Sequence, residues 1–426
     1  MKNKRMGLTT KIFIGLSTGL ILGIILNKMG PSYFRDDILV NGVFTLIGTV
    51  FLNAIKMMVV PLVFISLVNG ASSMSDIKKL GRVGSKTLIF YLLTTAVAIT
   101  IAIGLSYIVK PGIGLDMSAL VKTAPTIAEK TSLVKVITDM VPTNPIQAMA
   151  EGNMLQIIVF ALLTGTGLAA LGKKAKPITD LFDSLNELMM KMVSFVMLFA
   201  PYGVFALITK TFTGLGFEAM LPLAKYMFCV LFALLIHTGI TYTGLLVGFT
   251  KLNPVIFFKK FLPVMGIGFS TATSNATVPA SLEVVEKKLG VSKSIAAFTI
   301  PLGATMNMDG TAIMQGAATI FIAQIYGVNL TFGMILTVIL TATLASVGTA
   351  GVPGVGLIML SMVLQSVGLP VEGIALIIGI DRILDMCRTA VNITGDAVCT
   401  IIVAKSEGEF DEAVYNSVTE DEVISM

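Results

Sequence analysis

Long apolar runs separated by short polar segments follow one another along almost the whole chain. The first six lie at about Ile12–Leu26, Gly42–Val68, Leu88–Val109, Leu155–Leu171, Leu188–Ile208 and Leu221–Phe249. Each has roughly the length that a helix needs to cross a bilayer. The pattern predicts membrane-spanning helices.

Two apolar segments in the second half of the chain are interrupted near their middle. Phe261–Ala280 contains the hydroxyl-rich stretch Ser270–Pro279, and Gly333–Val367 contains the glycine- and proline-rich stretch Ala345–Gly356. Lysines flank the first segment on both sides, so a single crossing would place one lysine group outside. We therefore predict two re-entrant hairpins, the first entering from the cytoplasm and the second from outside.

Each predicted hairpin is followed by a span with a polar interior. In Ile295–Tyr326, glycine, asparagine and aspartate cluster within a few residues, which predicts a helix unwound at about Thr305–Thr311. The last span runs from Ile374 to Val403. Two such units entering from opposite sides form an inverted repeat, whose binding site is expected where the halves meet.

The last span carries charges on one helical face. At about 100° per residue, Arg388, Asn392 and Asp396 all fall within about 60° of Asp385. Each charge costs about 2.5–3.5 kcal/mol at the centre of a bilayer. A helix that accepts several of them has either a structural ion-pair network or a charged cargo.

Composition and charge support a polytopic membrane protein with a defined orientation. Of 426 residues, 55% are hydrophobic and 13% are charged, whereas soluble domains carry about 25% charged residues. Lysines are frequent at the N-terminus and after the second, fourth and sixth spans, which predicts that both termini are cytoplasmic. The basic start is also typical of a cleaved signal peptide, but no small-residue cleavage site follows, so a retained span is predicted. The acidic tail 406–426 is expected to be mobile.

Few residues suggest other chemistry. Cys229, Cys387 and Cys399 lie in apolar spans without metal-ligand spacing, so they are interpreted as packing thiols. The single histidine, His237, is interpreted as a packing residue, with a proton relay as the alternative. No nucleophile–base pair or cofactor motif suggests an enzyme. An ion channel is a further alternative, but it needs a continuous pore and not two gates around a site.

Three motifs in this order resemble those of the glutamate transporter family, the dicarboxylate/amino-acid:cation symporters. They are Asn307-Met-Asp-Gly-Thr311, Ala350-Gly-Val-Pro-Gly354 and Asp385-x-x-Arg-x-x-x-Asn-x-x-x-Asp396. The resemblance covers nearly the whole chain and is close to archaeal and bacterial aspartate and glutamate carriers. It implies an all-α integral membrane protein of the cell membrane, with eight transmembrane helices and two re-entrant helical hairpins, assembled as a homotrimer.

The resemblance also implies a division into two domains and a cytoplasmic tail. A static scaffold would comprise residues 1–82 and 111–219. A transport domain of residues 83–110 and 220–405 would slide across the membrane as an elevator, with the second hairpin as its outer gate. Residues 406–426 would form the tail.

By resemblance, the ligand is an acidic amino acid. Arg388 would bind its side-chain carboxylate, and Asp385 its ammonium. The expected substrate-binding residues are Ser274, Thr311, Val352, Gly356, Asp385, Arg388, Thr389 and Asn392. A dicarboxylate lacks the ammonium and would leave Asp385 as an unpaired buried acid, which is costly. This argument favours an amino acid.

The role of the neighbouring charges is left open by the sequence. Asp385 and Arg388 are three residues apart and are alternatively a purely structural salt bridge. Asp381 is interpreted as either structural or functional. Arg382 is hypothesised to replace an arginine that related carriers place elsewhere.

By resemblance, sodium is the coupling ion and no cofactor is needed. The first sodium would be held by Asp396, Asn307 and the carbonyls of Gly303 and Asn392. The second would be held by backbone oxygens of Thr305, Ser346, Val347 and Thr349, and the third by Asp309, Asn307, Tyr91, Thr94 and Thr95. Proton coupling through Asp309 or Asp396 is the alternative. The expected partners are the amino acid, cations, the lipid bilayer and two further copies of the chain, with no nucleic acid.

Overall fold

The computed structural model describes residues 8–72, 80–114, 138, 141–216, 220–346 and 354–417. Over these ranges the chain is helical, and the extended structure within them is limited to an isolated antiparallel bridge between Val291 and Phe410. The prediction of an all-α fold is confirmed.

The first half of the chain forms seven named helices within the described ranges. They are α1 (Leu8–Lys28), α2 (Thr45–Ser72, preceded by a π-helical segment at Phe34–Phe44), α3 (Leu80–Val109), α4 (Pro145–Glu151), α5 (Met154–Leu171), α6 (Lys176–Leu198) and α7 (Ala200–Leu215). The predicted span Leu188–Ile208 is divided between α6 and α7, because the chain leaves the helix at Phe199. Pro201 has no N–H to continue α6, and it lies instead in the first turn of α7.

The second half forms the helices that surround the polar residues. They are α8 (Met220–Ile236, followed by a π-helical segment at His237–Tyr242), α9 (Thr243–Thr250), α10 (Pro254–Thr271), α11 (Ser274–Lys287), α12 (Lys293–Met306), α13 (Asp309–Ile325), α14 (Phe332–Ser346), α15 (Val355–Ser366), α16 (Ile374–Ser406) and α17 (Glu412–Asn416).

Several helices are long and apolar enough to cross a membrane. In the described part of the chain these are Thr10–Lys28, Phe34–Asn69, Arg82–Val109, Gln156–Val196 and Met220–Thr250, while α14 and α15 are shorter apolar helices. Large apolar side chains project outward, such as Ile108 and Phe249, which are 79% and 70% exposed. This arrangement fits a multi-pass protein whose outer surface contacts lipid.

The break between α12 and α13 is shorter than the sequence predicts. Asn307 and Met308 alone leave the helical conformation, whereas unwinding was expected over Thr305–Thr311. The amide of Asn307 still donates to the carbonyl of Gly303 at 2.8 Å, and that of Ala312 donates to the carbonyl of Met308 at 2.8 Å. Backbone hydrogen bonds therefore continue to the edge of the break on both sides.

The first predicted hairpin corresponds to α10 and α11, which pack together across a two-residue turn. Ala272 adopts a left-handed conformation with φ of 50°, which ends α10, and Thr273 is extended. The hydroxyl-rich stretch Ser270–Pro279 therefore consists mainly of helix ends. In the second predicted hairpin, α14 packs on α15, and its tip at residues 347–353 lies outside the described residues.

The structure describes residues 406–417 of the tail, which pack on the rest of the protein, so the expectation of a mobile tail is wrong for these residues. Tyr415 of α17 is fully buried, and its hydroxyl donates to the carbonyl of Asn253 at 2.8 Å. The buried Lys260 donates from Nζ to the carbonyls of Lys288, Val414 and Tyr415 at 2.7–3.0 Å. These contacts hold the tail against the N-terminal half of α10.

Candidate functional site

The polar face of α16 is buried inside the protein. Arg388, Asn392 and Asp396 are 1%, 3% and 2% exposed. Helices α10, α12 and α13 pack around α16. The charged face predicted from the sequence is therefore surrounded by protein and is shielded from lipid, as intramembrane charges require.

Arg388 lies at the centre of an ion-pair cluster. Its Nη1 donates to Asp381 Oδ1 at 2.6 Å, and its Nη2 donates to Asp385 Oδ1 at 2.9 Å. Its Nε is buried and has no hydrogen-bond partner among the described residues. Buried donors are usually paired, and a guanidinium favours two-point contact with a carboxylate. The Nε is therefore chemically able to donate to an anionic group.

Asp385 has a second cationic neighbour, Arg382. The Nη1 of Arg382 lies 3.5 Å from Asp385 Oδ2. The sequence argument that a ligand without an ammonium leaves Asp385 unpaired is therefore wrong, because Asp385 faces a guanidinium on each oxygen. Asp381 is a direct ion-pair partner of Arg388. The sequence had left open whether Asp381 is structural or functional, and this contact makes it part of the cluster around Arg388.

Helix α13 approaches α16 at a glycine. The amide of Gly310 donates to Asn392 Oδ1 at 2.7 Å, and an added Cβ on Gly310 would lie 2.6 Å from the carbonyl oxygen of Arg388. An added Cβ on Gly356, in the first turn of α15, would lie 3.2 Å from Thr311 Cγ2 and 3.6 Å from Arg388 Nη2. The fold thus brings four predicted substrate-binding residues together.

Of the remaining predicted substrate-binding residues, the two that the structure describes have a position but no hydrogen bond with the side chain of Arg388. Ser274 is buried as the first residue of α11, next to the turn of the first helical pair. The hydroxyl of Thr389 donates to the carbonyl of Asp385 at 2.9 Å within α16. Val352 lies outside the described residues.

Asn307 connects the helix break to α16. Its Nδ2 donates to the carbonyl of Asn392 and to Asp396 Oδ1, both at 2.8 Å. A Cβ on Gly303 would collide with the carboxylate of Asp396, so Gly303 also lies at this point. The Oδ1 of Asn307 is buried without a hydrogen-bond donor in the described part of the chain. An acceptor without a donor, beside a carboxylate and carbonyls, fits a cation.

Asp309 is fully buried and has three hydrogen-bond partners. Thr95 Oγ1 donates to its Oδ1 at 2.5 Å, so two of the residues predicted for the third sodium site are neighbours. On Oδ2, Tyr242 donates from its hydroxyl at 2.8 Å, and His237 Nε2 lies at 3.0 Å. His237 is fully buried, as the packing interpretation expects, but its ring also contacts the carboxylate of Asp309 and so does more than fill space.

Sequence reasoning missed Tyr242 and the position of His237 for a geometric reason. Both residues belong to the π-helical segment after α8. A π-helix has a wider turn and pairs residues five apart, so the first and last residues of this segment both reach Asp309. A lone histidine in an apolar span was the available signal, but nothing in the sequence indicates π-helical geometry.

Two predicted ligands of the third sodium site do not contact Asp309 by a hydrogen bond. The hydroxyl of Tyr91 donates to the carbonyl of Thr299 at 3.4 Å, and that of Thr94 donates to the carbonyl of Tyr91 at 3.2 Å. Tyr91 lies instead beside Gly303, where an added Cβ would be 2.6 Å from its hydroxyl.

The predicted second sodium site is described only in part. The side chains of Thr305 and Ser346 donate to carbonyls in their own helices, while Val347 and Thr349 lie outside the described residues. Within the described ranges, no three His, Cys, Asp or Glu side chains group as they do around a metal ion. The oxygen atoms that cluster around the polar residues of α16 belong to hydroxyls, amides and carbonyls. Such oxygen ligands suit hard cations.

Comparison with known proteins identifies the family of this chain. Residues 8–406 match the model of the sodium:dicarboxylate symporter family. Similar proteins include the "Proton/sodium-glutamate symport protein" of Bacillus caldotenax (38% identity, 96% of both chains) and the "Proton/glutamate-aspartate symporter" of Escherichia coli (39% identity, 96% and 95%). A "C4-dicarboxylate transport protein" of Bacillus subtilis is 36% identical over 97% and 95%. The chain therefore belongs to the sodium:dicarboxylate symporter family, a family of membrane transporters and not of enzymes.

Proposed function

We propose that the protein is a secondary active symporter that takes up an acidic amino acid, glutamate or aspartate, together with sodium. The observation that carries this proposal is the buried guanidinium of Arg388, which is held by two acids and keeps its Nε free. A cation fixed in this way inside a membrane protein is suited to a carboxylate cargo. The names of the Bacillus caldotenax and Escherichia coli relatives support glutamate or aspartate.

The ligand would be held at both of its ends. Arg388 with Thr311 would bind the side-chain carboxylate, and Asp385 would bind the ammonium, with Thr389 beside it. Asn392 and backbone amides near Ser274 and residue 352 would bind the α-carboxylate. Gly356 would leave room for the ligand next to the guanidinium, since its missing Cβ opens space towards Arg388.

Sodium is the coupling ion that the oxygen donors favour. The amide group of Asn307 lies next to the carboxylate of Asp396 and the carbonyl of Asn392, and its Oδ1 is unpaired among the described residues. These groups would form the first site. Asp309 and Thr95 would contribute to another. Proton coupling is the alternative, and the names of the two relatives include both ions.

Transport would follow an elevator mechanism in a homotrimer, with both termini in the cytoplasm. In support of two domains, α1 packs mainly on α7, and α2 packs on α5, α6 and α7. In contrast, α3 packs on α8, α13 and α14. Helix α11 packs on α10 and α12, and α10 to α13 all pack on α16. We assign the first group to a static scaffold and the second to a moving transport domain, with α10–α11 and α14–α15 as its re-entrant hairpins.

Uptake into proteoliposomes tests the proposal. Labelled aspartate or glutamate should accumulate under an inward sodium gradient, and Arg388→Cys should abolish this uptake while a neutral amino acid gains entry. The matched control is Arg82→Gln, which removes an arginine whose side chain is 65% exposed. Accumulation driven by a proton gradient alone would overturn the sodium assignment, and glutamate uptake retained in Arg388→Cys would overturn the role of Arg388.

A further inference from the structure

Four charged side chains of α16 form a ladder that is neutral without any ligand. Asp381 pairs with Arg388, Arg388 with Asp385, and Asp385 with Arg382. The ladder therefore holds two carboxylates and two guanidinium groups. No external charge is needed to neutralise it.

The two guanidinium groups are held differently. Arg388 is 1% exposed and makes contacts of 2.6 and 2.9 Å with the two acids. Arg382 is 16% exposed, and its contact of 3.5 Å is longer than a hydrogen bond. Its Nε is buried and has no hydrogen-bond partner in the part of the chain that the structure describes. Arg388 is thus a fixed group, whereas Arg382 is a loosely held one that can leave Asp385.

This difference matters for ligands with and without an amino group. An incoming ammonium would take Asp385 Oδ2, because Oδ1 is held by Arg388, and would displace the loosely held Arg382. A ligand without an ammonium leaves Arg382 in place, so Oδ2 of Asp385 keeps a cationic neighbour and the ladder stays neutral. A net buried charge would cost free energy. The long side chain of Arg382 can accommodate both cases.

Given the proposed transport of acidic amino acids, on which this inference rests, we propose that Arg382 is a specificity residue. It neutralises Asp385 when the ligand has no amino group, and it thereby lets one site accept C4-dicarboxylates as well as aspartate. Removal of Arg382 weakens the binding of ligands that lack the amino group more than the binding of aspartate.

Uptake of labelled aspartate and labelled succinate into proteoliposomes tests this role, because the two compounds differ by the amino group. In the wild type, succinate should be transported. In Arg382→Gln, the ratio of half-saturating concentrations, succinate over aspartate, should rise by at least about tenfold, as expected when one member of a buried charge pair is lost. Arg382→Lys should limit this rise because it keeps the charge, and Arg82→Gln should leave the ratio unchanged.

A double variant separates specificity from a structural effect. Asp385→Asn removes the charge that Arg382 neutralises, so Arg382→Gln should no longer impair succinate uptake in that background. This comparison also keeps the test valid if Arg382→Gln alone does not fold. An unchanged ratio, a proportional loss of both ligands, or no rescue in the double variant would overturn the role of Arg382. Transport of aspartate without succinate in the wild type would overturn it too and leave the proposed function standing, whereas uptake of neither would overturn the proposed function.

Discussion

Gly310→Ala tests how closely the start of α13 must approach α16. The added Cβ would lie 2.6 Å from the carbonyl oxygen of Arg388 and 2.8 Å from its Cα. Both are backbone atoms, so neither can rotate away. Ordinary contact starts at 3.4 Å, so the two helices must separate by about 0.8 Å. At the same place, the hydrogen bond of 2.7 Å from the Gly310 amide to Asn392 Oδ1 would be stretched to its limit.

The free-energy cost follows from these two effects. Overpacking of this kind costs about 1–3 kcal/mol, and a buried hydrogen bond left unmade costs about 1–3 kcal/mol. A total of about 3 kcal/mol corresponds to roughly a hundredfold change in an equilibrium constant. Since binding must restore the displaced Arg388 and Asn392, the cost should be seen in ligand affinity. A misplacement of about 1 Å is known to have an effect of similar size.

The assay is the concentration dependence of aspartate uptake in proteoliposomes. Gly310→Ala should raise the half-saturating concentration about a hundredfold. The control is Gly104→Ala in α3, where an added Cβ would meet nothing within 4 Å. A value for Gly310→Ala within about threefold of the wild type would refute the close-approach reasoning, because it would show that α13 shifts without disturbing the site.

Three further changes probe the contacts around the site and the tail. Tyr242→Phe removes one donor from Asp309 and should lower the thermal unfolding midpoint by about 2 °C, since a hydrogen bond to a charged group contributes about 1.5–3 kcal/mol. Lys260→Met leaves three carbonyls without their donor, and the tail should become sensitive to limited proteolysis. The hydrogen bond from Lys86 lowers the pKa of Glu407 from its ordinary value of 4.5. This contact stabilises the fold above that pH and is lost as the pH falls through the lowered pKa, so Glu407→Gln should flatten the acid limb of a stability profile.

Matched variants control each of these measurements. Tyr226→Phe removes a buried hydroxyl that has no hydrogen-bond partner in the described part of the protein. If it lowers the thermal unfolding midpoint as much as Tyr242→Phe does, the contact with Asp309 is not the cause of the lower midpoint. Lys259→Met alters an exposed neighbour of Lys260, and equal proteolysis of the two variants would contradict the docking of the tail. Glu283→Gln removes an exposed helical pair, and its acid profile should match that of the wild type.

The sequence predicted most of the fold because its signals are local. Apolar length predicted long apolar helices, the hydroxyl-rich interruption predicted the helical pair α10–α11, and helical periodicity placed Arg388, Asn392 and Asp396 on one face. That face is buried as expected. The break near Asn307 was also recognised from poor helix formers, but its length was overestimated, since propensity does not show that backbone hydrogen bonds continue to its edges.

What the sequence could not predict depends on contacts between distant segments. His237 and Tyr242 meet Asp309 across 72 and 67 residues, and no local pattern connects them. The tail looked mobile because it is acidic, yet the burial of Tyr415 depends on a pocket built by α10 and its neighbours. The pairing of Arg382 with Asp385 could be predicted from their spacing of three residues in one helix. The charge balance of the ladder could not, because it also depends on the contacts of Asp381 and Arg388.

The π-helical segment has a consequence for how such a site can arise. A π-helical turn holds one more residue than an α-helical turn, so His237–Tyr242 is equivalent to an α-helix with one inserted residue. Deleting one residue there would rotate everything beyond it by about 100° and remove Tyr242 from Asp309 while His237 stayed. A single-codon insertion or deletion is thus enough to create or abolish this contact during divergence, without any change to the residues that line the site.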